Sequence, residues 1–523
     1  MPVATLSAPS RSTASARERA LERRVAELEA ELAATKREAS ARERVLEARV
    51  AGLEAELAAT RKDRDQWRAK YEQLAEKFVV IEQRRTELEA RLRENSTNSN
   101  RPPSADPPGV KRPQRSREKT GRKRGAQPGH QGATRPLVPP DQVDRVLDVF
   151  PARCARCERP AAARSGPSDP EPQRHQVTEL PPVKPLVTEH RLHATTCRHC
   201  GEVTRAELPA DVPRGAFGTK LQATVSLLTG RFRLSRREAV EALQALFGVE
   251  VSLGSITALE QATSDALAKP YGEALKSVRE AGIIHADETG WRQAAARAWL
   301  WIAVTTTLSV FWIDPRRNRA AFVRFLGKFT GLLVSDRWGP YMKHKLKRHQ
   351  LCWAHLKRDF EKLVLRGGDA KILGELLLTE VKAIFALWHR FERGEIDRGS
   401  LKRQLKPTQA RVFDLLVDGL ENSNAKANGL CARLVPVWTC LWVFTEIDGV
   451  EPTNNHGERE LRRAVLWRKG SFGSQSNGGS LYVSRMLTTV ASLRKQNRPV
   501  LAFLEQAIRA HREGTATPSL LSA

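Results

Sequence analysis

Along the first quarter of the chain apolar residues recur at alternating intervals of four and three: Leu21, Val25, Leu28 and Leu32, then Leu46, Val50, Leu53 and Leu57. That spacing predicts one stripe of a long helix and the seam of a coiled coil. Ala16–Arg93 holds no proline and a single glycine, Gly52, as long helices do. Within it, ARERALERRVAELEAELAAT and ARERVLEARVAGLEAELAAT form an internal repeat offset by 25 residues. Three heptads plus four is a stutter-like phase shift, so the supercoil should locally unwind there.

Further on the period changes. Phe217 to Ala268 is helical again, with one helix ending near Phe247, a turn at Gly248 and a second helix opening at Ser252 to Ser255. This is helix-turn-helix spacing, although two packed core helices would show it equally well. From Gly282 short apolar runs read as strands: one ending at Asp287, then AWLWIAVTTT, SVFWIDP, and GLLVSDRW, which carries Asp336. Strands followed by helices predict an α/β sheet. The 121 residues between Asp336 and Glu458 are helical in pattern and too many for a connection inside a sheet, so they read as an inserted subdomain. Glu458 itself sits one turn into a helix opened by Asn454 and Asn455.

Composition adds partners to this outline. The 523 residues are 40% hydrophobic, enough for several domains and a sizeable core. A formal charge of +27 and a pI near 10.3 favour a polyanion, nucleic acid first. The long helix is nearly balanced in charge, so it reads as a homo-oligomerisation arm and not as a DNA contact. Ten basic residues against two acidic ones lie between Arg101 and Arg135, Lys123 and Arg124 among them, in a Pro- and Gly-rich stretch that buries nothing. Such a linker can follow a phosphate backbone without reading bases. The longest apolar run, Ala298–Ile313, is broken by Thr305, Thr306, Thr307 and Ser309, too short and polar for a membrane span. With no signal-peptide pattern at the N-terminus, a cytoplasmic, nucleoid-associated protein without membrane partners is expected.

Four of the seven cysteines form two CxxC pairs, Cys154 with Cys157 and Cys197 with Cys200. Paired thiolates on tight turns suit tetrahedral Zn2+ and would close the loop between them. Asp287, Asp336 and Glu458 make a different kind of site. Three carboxylates drawn from distant positions are hard oxygen donors, suited to Mg2+ or Mn2+, and two such ions about 4 Å apart could serve an in-line displacement at phosphorus. Glu288, Asp314, Asp359 and Glu460 read as bystanders; Glu460 would point about 200° around the helix from Glu458. Arg337, Lys343, Lys345 and Arg358 lie in a run without acids beside Trp338, Tyr341 and Trp353, a mixture suited to DNA. His355 in that run suits either a DNA contact or a structural role. Arg459, Arg462, Arg463, Arg468 and Lys469, followed by a glycine-rich loop, offer further phosphate contacts.

Together the GAQPGHQG linker end, the cysteine pairs, Asp287-Glu288-Thr289, Ser335-Asp336 with Tyr341, Cys352-Trp353-Ala354-His355 with Phe360, and Asn454-Asn455 with Glu458, Arg459, Leu461 and Arg462 resemble transposases of the bacterial insertion sequence 66 family. The resemblance implies an α/β ribonuclease H-like DDE domain with a helical insertion. Before it would come a long coiled coil, a zinc-ribbon-like domain and a helical, helix-turn-helix-like DNA-binding segment. The expected boundaries are a disordered 1–15, the coiled coil at 16–94, the linker at 95–140, the zinc domain at 141–212 and the DNA-binding segment at 213–278. A catalytic domain would follow at 279–510, with its insertion at about 361–450, and then a tail at 511–523. The family's triad maps to Asp287, Asp336 and Glu458. The implied activity is binding of terminal inverted repeats, metal-dependent strand cleavage and strand transfer into target DNA, with small accessory proteins as further partners. A catalytically silent DNA-binding regulator and a structure-specific nuclease are the alternatives.

Overall fold

Helix-forming residues with one apolar seam must hide that seam against something, and the first such segment hides half of it against itself. The computed structural model describes residues 11–35, 40–95, 98, 106, 130, 135–161, 166, 169–209 and 212–521. Its compact units are Met1–Pro108 with Lys357–Ala383 and Thr408–Arg433, and Gly109–Leu356 with Ile384–Pro407 and Leu434–Ala523. In the first, helices α1 (Arg11–Thr35) and α2 (Ser40–Arg93) run antiparallel. Arg61 Nη2 meets Glu22 Oε1 at 2.6 Å and Arg64 Nη1 meets Glu18 Oε2 at 3.0 Å, so the middle of α2 lies beside the start of α1. Leu28, Val50 and Leu57 are buried between them. The exposed ion pairs contribute little, and burial of the seam contributes more. The expected single coiled coil is therefore a hairpin over its first half. The repeat's phase shift falls at the reversal between α1 and α2, where no continuous supercoil has to absorb it.

From 135 to 209 no described residue is buried. Strands β1 (Ala194–Thr196) and β2 (Val203–Arg205) pair antiparallel there. Beyond them come α3 (Thr219–Ser226), α4 (Arg236–Phe247), α5 (Leu253–Ala266) and α6 (Ala268–Glu280). A capping box starts α4: Ser235 Oγ accepts from the Glu238 amide, and the Glu238 carboxylate accepts from the Ser235 amide. Gly248 ends it at φ +63°, the left-handed cap that glycine adopts without strain. Val225, Leu243, Val251, Ile256 and Leu259 join these helices in a small core. The exposed face of α5 carries Thr257, Gln261 and Asp265 and no basic residue.

The sheet contains β3 (Ile283–Gln293), β4 (Ala296–Val304), β5 (Ser309–Asp314), β6 (Leu332–Ser335) and β7 (His349–Leu351), with helix α7 (Arg319–Leu326) between β5 and β6. Its order is β5-β4-β3-β6-β7. Only β4 is reversed: β3, β6 and β7 are parallel, and β4 runs against both β3 and β5. The apolar run Ala298–Ile313 thus forms most of a β-hairpin. Asp287 does not end its strand as expected. Strand β3 continues past it to Gln293, paired with β4 after β6 has stopped and bridged to Ser474 at its end.

After β7 the chain is helical: α8 (Trp353–Arg366), α9 (Gly368–Glu392), α10 (Arg398–Asp418) and α11 (Ala425–Leu434). The stretch Ala425–Thr445 is long and apolar enough to cross a membrane, yet it is half buried and leaves helical geometry at Val437 (φ −111°). Helices α12 (Asn455–Ser471), α13 (Asn477–Lys495) and α14 (Val500–Glu513) complete the sheet domain. The core beneath them includes Trp291, Trp301, Phe311, Phe322, Met486 and Phe503.

Candidate active site

Register sets two of the three predicted carboxylates side by side. The last paired residues of β3 and β6 are His285 and Val334. Two positions beyond each stand Asp287 and Asp336, on neighbouring strands whose usual spacing is about 4.8 Å. Asp287 Oδ1 accepts the Glu288 amide at 2.8 Å, and Asp336 Oδ1 accepts the Trp338 amide at 2.9 Å. Glu458 joins them from the first turn of α12. Its presence is felt at Asp287, whose carboxyl is pushed well above the usual range, first by burial and then by the negative charges of Glu288, Asp336 and Glu458. Oxygen donors that repel one another in a poorly hydrated place are the donor set that a hard divalent cation neutralises. The residues therefore fit a hard divalent cation.

A buried amide holds the helix and the strands together. Asn454, 1% exposed, donates from Nδ2 to the Ala286 carbonyl at 2.8 Å, and its Oδ1 lies 3.2 Å from His285 Nδ1. Its own carbonyl accepts the Glu458 amide at 3.0 Å, and its amide donates to Cys352 Sγ at 3.1 Å. Alongside, the Trp353 amide donates to the Pro452 carbonyl at 2.9 Å. One residue thus ties the strand of Asp287, the entrance of α8 and the helix of Glu458. The opening Asn pair was visible in the sequence, but its inward bonds were not. His285 is driven down to about 4 by burial and by nearby His456, so it is neutral here at physiological pH.

Cys352, His355 and Glu458 form a further group, their ligand atoms within 4.8 Å of one another. His355 Nδ1 lies 3.4 Å from Glu458 Oε1. The Cys352 thiol, pushed up to about 12 by burial, is neutral and serves as an acceptor for Asn454. His355 accordingly belongs beside Glu458.

Glu288 stands next to Asp287 in sequence but is occupied elsewhere. Arg317 Nε and Nη2 both reach Glu288 Oε1, at 2.9 and 2.6 Å, and the buried Tyr341 hydroxyl donates to Oε2. The Arg317 guanidinium also lies over the rings of Trp299 and Trp338, at 4.7 and 4.6 Å. Asp314 is likewise held by Arg324, and Glu460 is buried with Arg463 Nε 3.4 Å away.

The expected DNA contacts divide. Arg459, Arg462 and Lys469 lie exposed on one side of α12, with Glu458 one turn from Arg462. Lys343 and Lys345 are exposed between β6 and β7, while Arg337 and Arg358 are half-buried. Two expectations change. Arg468 donates to Thr289 Oγ1 at 3.1 Å and to the Gly290 carbonyl, pinning α12 to β3, and Arg463 turns inward toward Glu460. The glycine-rich loop is also engaged within the protein: the Ser474 amide donates to the Arg292 carbonyl at 2.9 Å and the Ala294 amide to the Ser474 carbonyl at 2.7 Å. Gly473 sits at φ +116°, and a Cβ there would meet the Arg292 carbonyl oxygen, so close backbone approach explains this glycine. Lys123 and Arg124 lie outside the described residues.

Both cysteine pairs adopt one turn. The Cys154 amide donates to the Arg159 carbonyl and the Glu158 amide to the Cys154 carbonyl, each at 2.9 Å. Cys197 repeats this with Glu202 and Gly201, at 2.7 and 2.9 Å. Glu158 and Gly201 close the turns at φ +57° and +76°. Backbone amides of Arg156 and Cys157 lower the Cys154 thiol, and those of Cys200 and His199 lower Cys197. Each turn thus favours the thiolate form of its first cysteine. Among the described residues the four sulfurs are not gathered into one cluster.

A family described as of unknown function matches residues 8–136, across α1 and α2. An uncharacterized protein of Sinorhizobium fredii, y4qI, is 22% identical over 405 residues, covering 70% of this chain and 72% of that one. The transposase IS66 family matches residues 214–481, from the helices before the sheet to the start of α13. That match spans more than half of the chain and encloses Asp287, Asp336 and Glu458, and with it the chain belongs to the transposase IS66 family.

Proposed function

We propose that the protein cleaves and joins DNA strands at the ends of its own element, with Asp287, Asp336 and Glu458 as its catalytic and metal-binding residues. The observation that carries this reading is the mutual repulsion at Asp287: a strand, the end of a neighbouring strand and a helix each bring one carboxylate to the same place. The sheet order, with the second strand alone reversed, supports a ribonuclease H-like fold. Bound Mg2+ or Mn2+ would supply charge neutralisation for the attacking and leaving oxygens. Asp287 and Asp336 each spend Oδ1 on a backbone amide, which fixes the carboxylate and leaves Oδ2 to serve as a ligand. Asn454 and His355 fix Glu458. The exposed Arg459, Arg462, Lys469, Lys343 and Lys345 hold the phosphate backbone, with Lys123 and Arg124 adding charge from the linker.

Zn2+ at Cys154, Cys157, Cys197 and Cys200 would give a segment without buried residues the cross-link that an apolar core supplies elsewhere. Terminal inverted repeats, target DNA and small accessory proteins are the partners. The test is Mg2+-dependent cleavage of DNA carrying the repeats that flank the gene, by the wild type and by Asp287→Ala, Asp336→Ala and Glu458→Gln, with accessory proteins present and absent. Cuts at the repeat boundary that vanish in all three variants, with binding retained, are expected. Binding without cutting in any form, wild type included, would refute the catalytic reading.

A further inference from the structure

The seam of α2 does not stop where α1 stops covering it. Helix α1 has 25 residues and α2 has 54, so at equal rise per residue α1 covers less than half of its partner. Continued in the phase of Val50, Leu53 and Leu57, the heptad positions pass through polar Thr60 and Arg64 and then turn apolar again. Trp67, Tyr71, Leu74, Phe78 and Ile81 follow at intervals of four, three, four and three, and Leu88 and Leu92 continue the same phase. All seven are between 47% and 83% exposed. Nearly four heptads of uncovered seam is enough for a coiled coil, and large aromatic residues on an open helix face mark an interaction surface.

We propose that Trp67–Leu92 pairs with the same segment of a second copy of this chain, parallel and in register, while α1 closes the first half of the seam within each chain. The flanking charges select this occupant. In a parallel pair each residue just before a first core position faces, on the other chain, the residue five places later. Those pairs are Asp63 with Arg68, Lys77 with Glu82 and Arg84 with Glu89, attractive each time; Lys70 meets Ala75. In an antiparallel pair the residues before the first core positions face one another, and Lys70, Lys77, Arg84 and Arg91 are all basic. Arg85 occupies one core position of the seam, and a single charged residue there fixes register at some cost in stability. Within one chain it already bonds Glu82 at 2.8 Å, so its charge enters the seam partly neutralised.

The proposal stands on α1 and α2 alone and is read as mass, so it stands or falls separately from cleavage. The experiment is sedimentation of the full chain across concentrations, with helicity checked by circular dichroism so that unfolding is not mistaken for dissociation. The wild type is expected as a dimer, and Leu74→Lys with Ile81→Lys as a folded monomer. Lys77→Glu with Arg84→Glu in one preparation, and Glu82→Lys with Glu89→Lys in another, should each weaken self-association roughly tenfold or more. Mixed, the two preparations should pair again. A monomeric wild type, a dimer that survives Leu74→Lys with Ile81→Lys, or charge variants that fail to pair on mixing would each overturn the proposal.

Discussion

Arg317→Met isolates the charge that sets Glu288 apart from Asp287, Asp336 and Glu458. The Glu288 side chain is 2% exposed and takes both Arg317 bonds through Oε1, leaving Tyr341 as its other partner. Stranding a buried carboxylate costs about 3–5 kcal/mol. Arg317 keeps 35% of its side chain in water, so about 2–3 kcal/mol is the expected loss, including the contacts with Trp299 and Trp338. Glu288→Gln removes the buried charge at similar volume. Combined with Arg317→Met it should recover more than about 1 kcal/mol, because the two sites share one interaction. Urea unfolding of all four proteins, followed by tryptophan fluorescence, measures the coupling. Cleavage assays give the functional arm: Glu288→Gln should stay within a few-fold of the wild type, while Glu458→Gln abolishes cutting. A Glu288→Gln protein of native stability that has lost cleavage as completely as Glu458→Gln would refute the reasoning and place Glu288 among the metal ligands.

Asn454→Ala removes two buried side-chain bonds and leaves the Ala286 carbonyl without its donor; a loss of about 2–4 kcal/mol is expected in thermal unfolding, with a larger fall in cleavage than Thr453→Ala causes. Acid should unfold the sheet domain early. His285 and His349 are lowered by burial to about 4 and about 3, so the folded state prefers both neutral; their contribution is full above about pH 6.5 and is lost as pH falls toward those values. For His285 alone the loss by pH 4 is about 3 kcal/mol, read as the pH dependence of the urea midpoint, and His285→Gln should flatten it. Zinc released by a thiol-reactive mercurial should amount to about one ion per chain, and Cys197→Ser should abolish it without removing the helical signal of α1 and α2.

The sheet was legible because buried strands are written as mostly apolar runs, and the runs before Asp287 and Asp336, broken only by His285 and Ser335, are of that kind. The second half of β3 was not, since Glu288, Thr289 and Arg292 give no apolar signal; pairing with Trp299 and Trp301 of β4 extends the strand. An apolar seam has the same spacing whether its partner is the next helix or another chain, which hid the hairpin of α1 and α2. Arg468 and Gly473 show a second limit. A guanidinium and a glycine close to the helix of Glu458 suit a phosphate, but bonds to Gly290 and the approach of Arg292 account for both. Asp287, Asp336 and Glu458 stood out in the sequence as residue types that a metal site would need, whereas Asn454 works through bonds that many asparagines could make.

The bond from the Asn454 amide to Cys352 joins positions 102 apart in the chain, and beside it Trp353 meets Pro452. Everything between is therefore a closed loop whose two ends are fastened at its root. Lengthening such a loop changes its closure entropy only logarithmically. Glu458 takes its position from the fastening and not from the helices that precede it in the chain. The segment between can be lengthened, trimmed or exchanged over evolutionary time while Glu458 keeps its place next to the fastening.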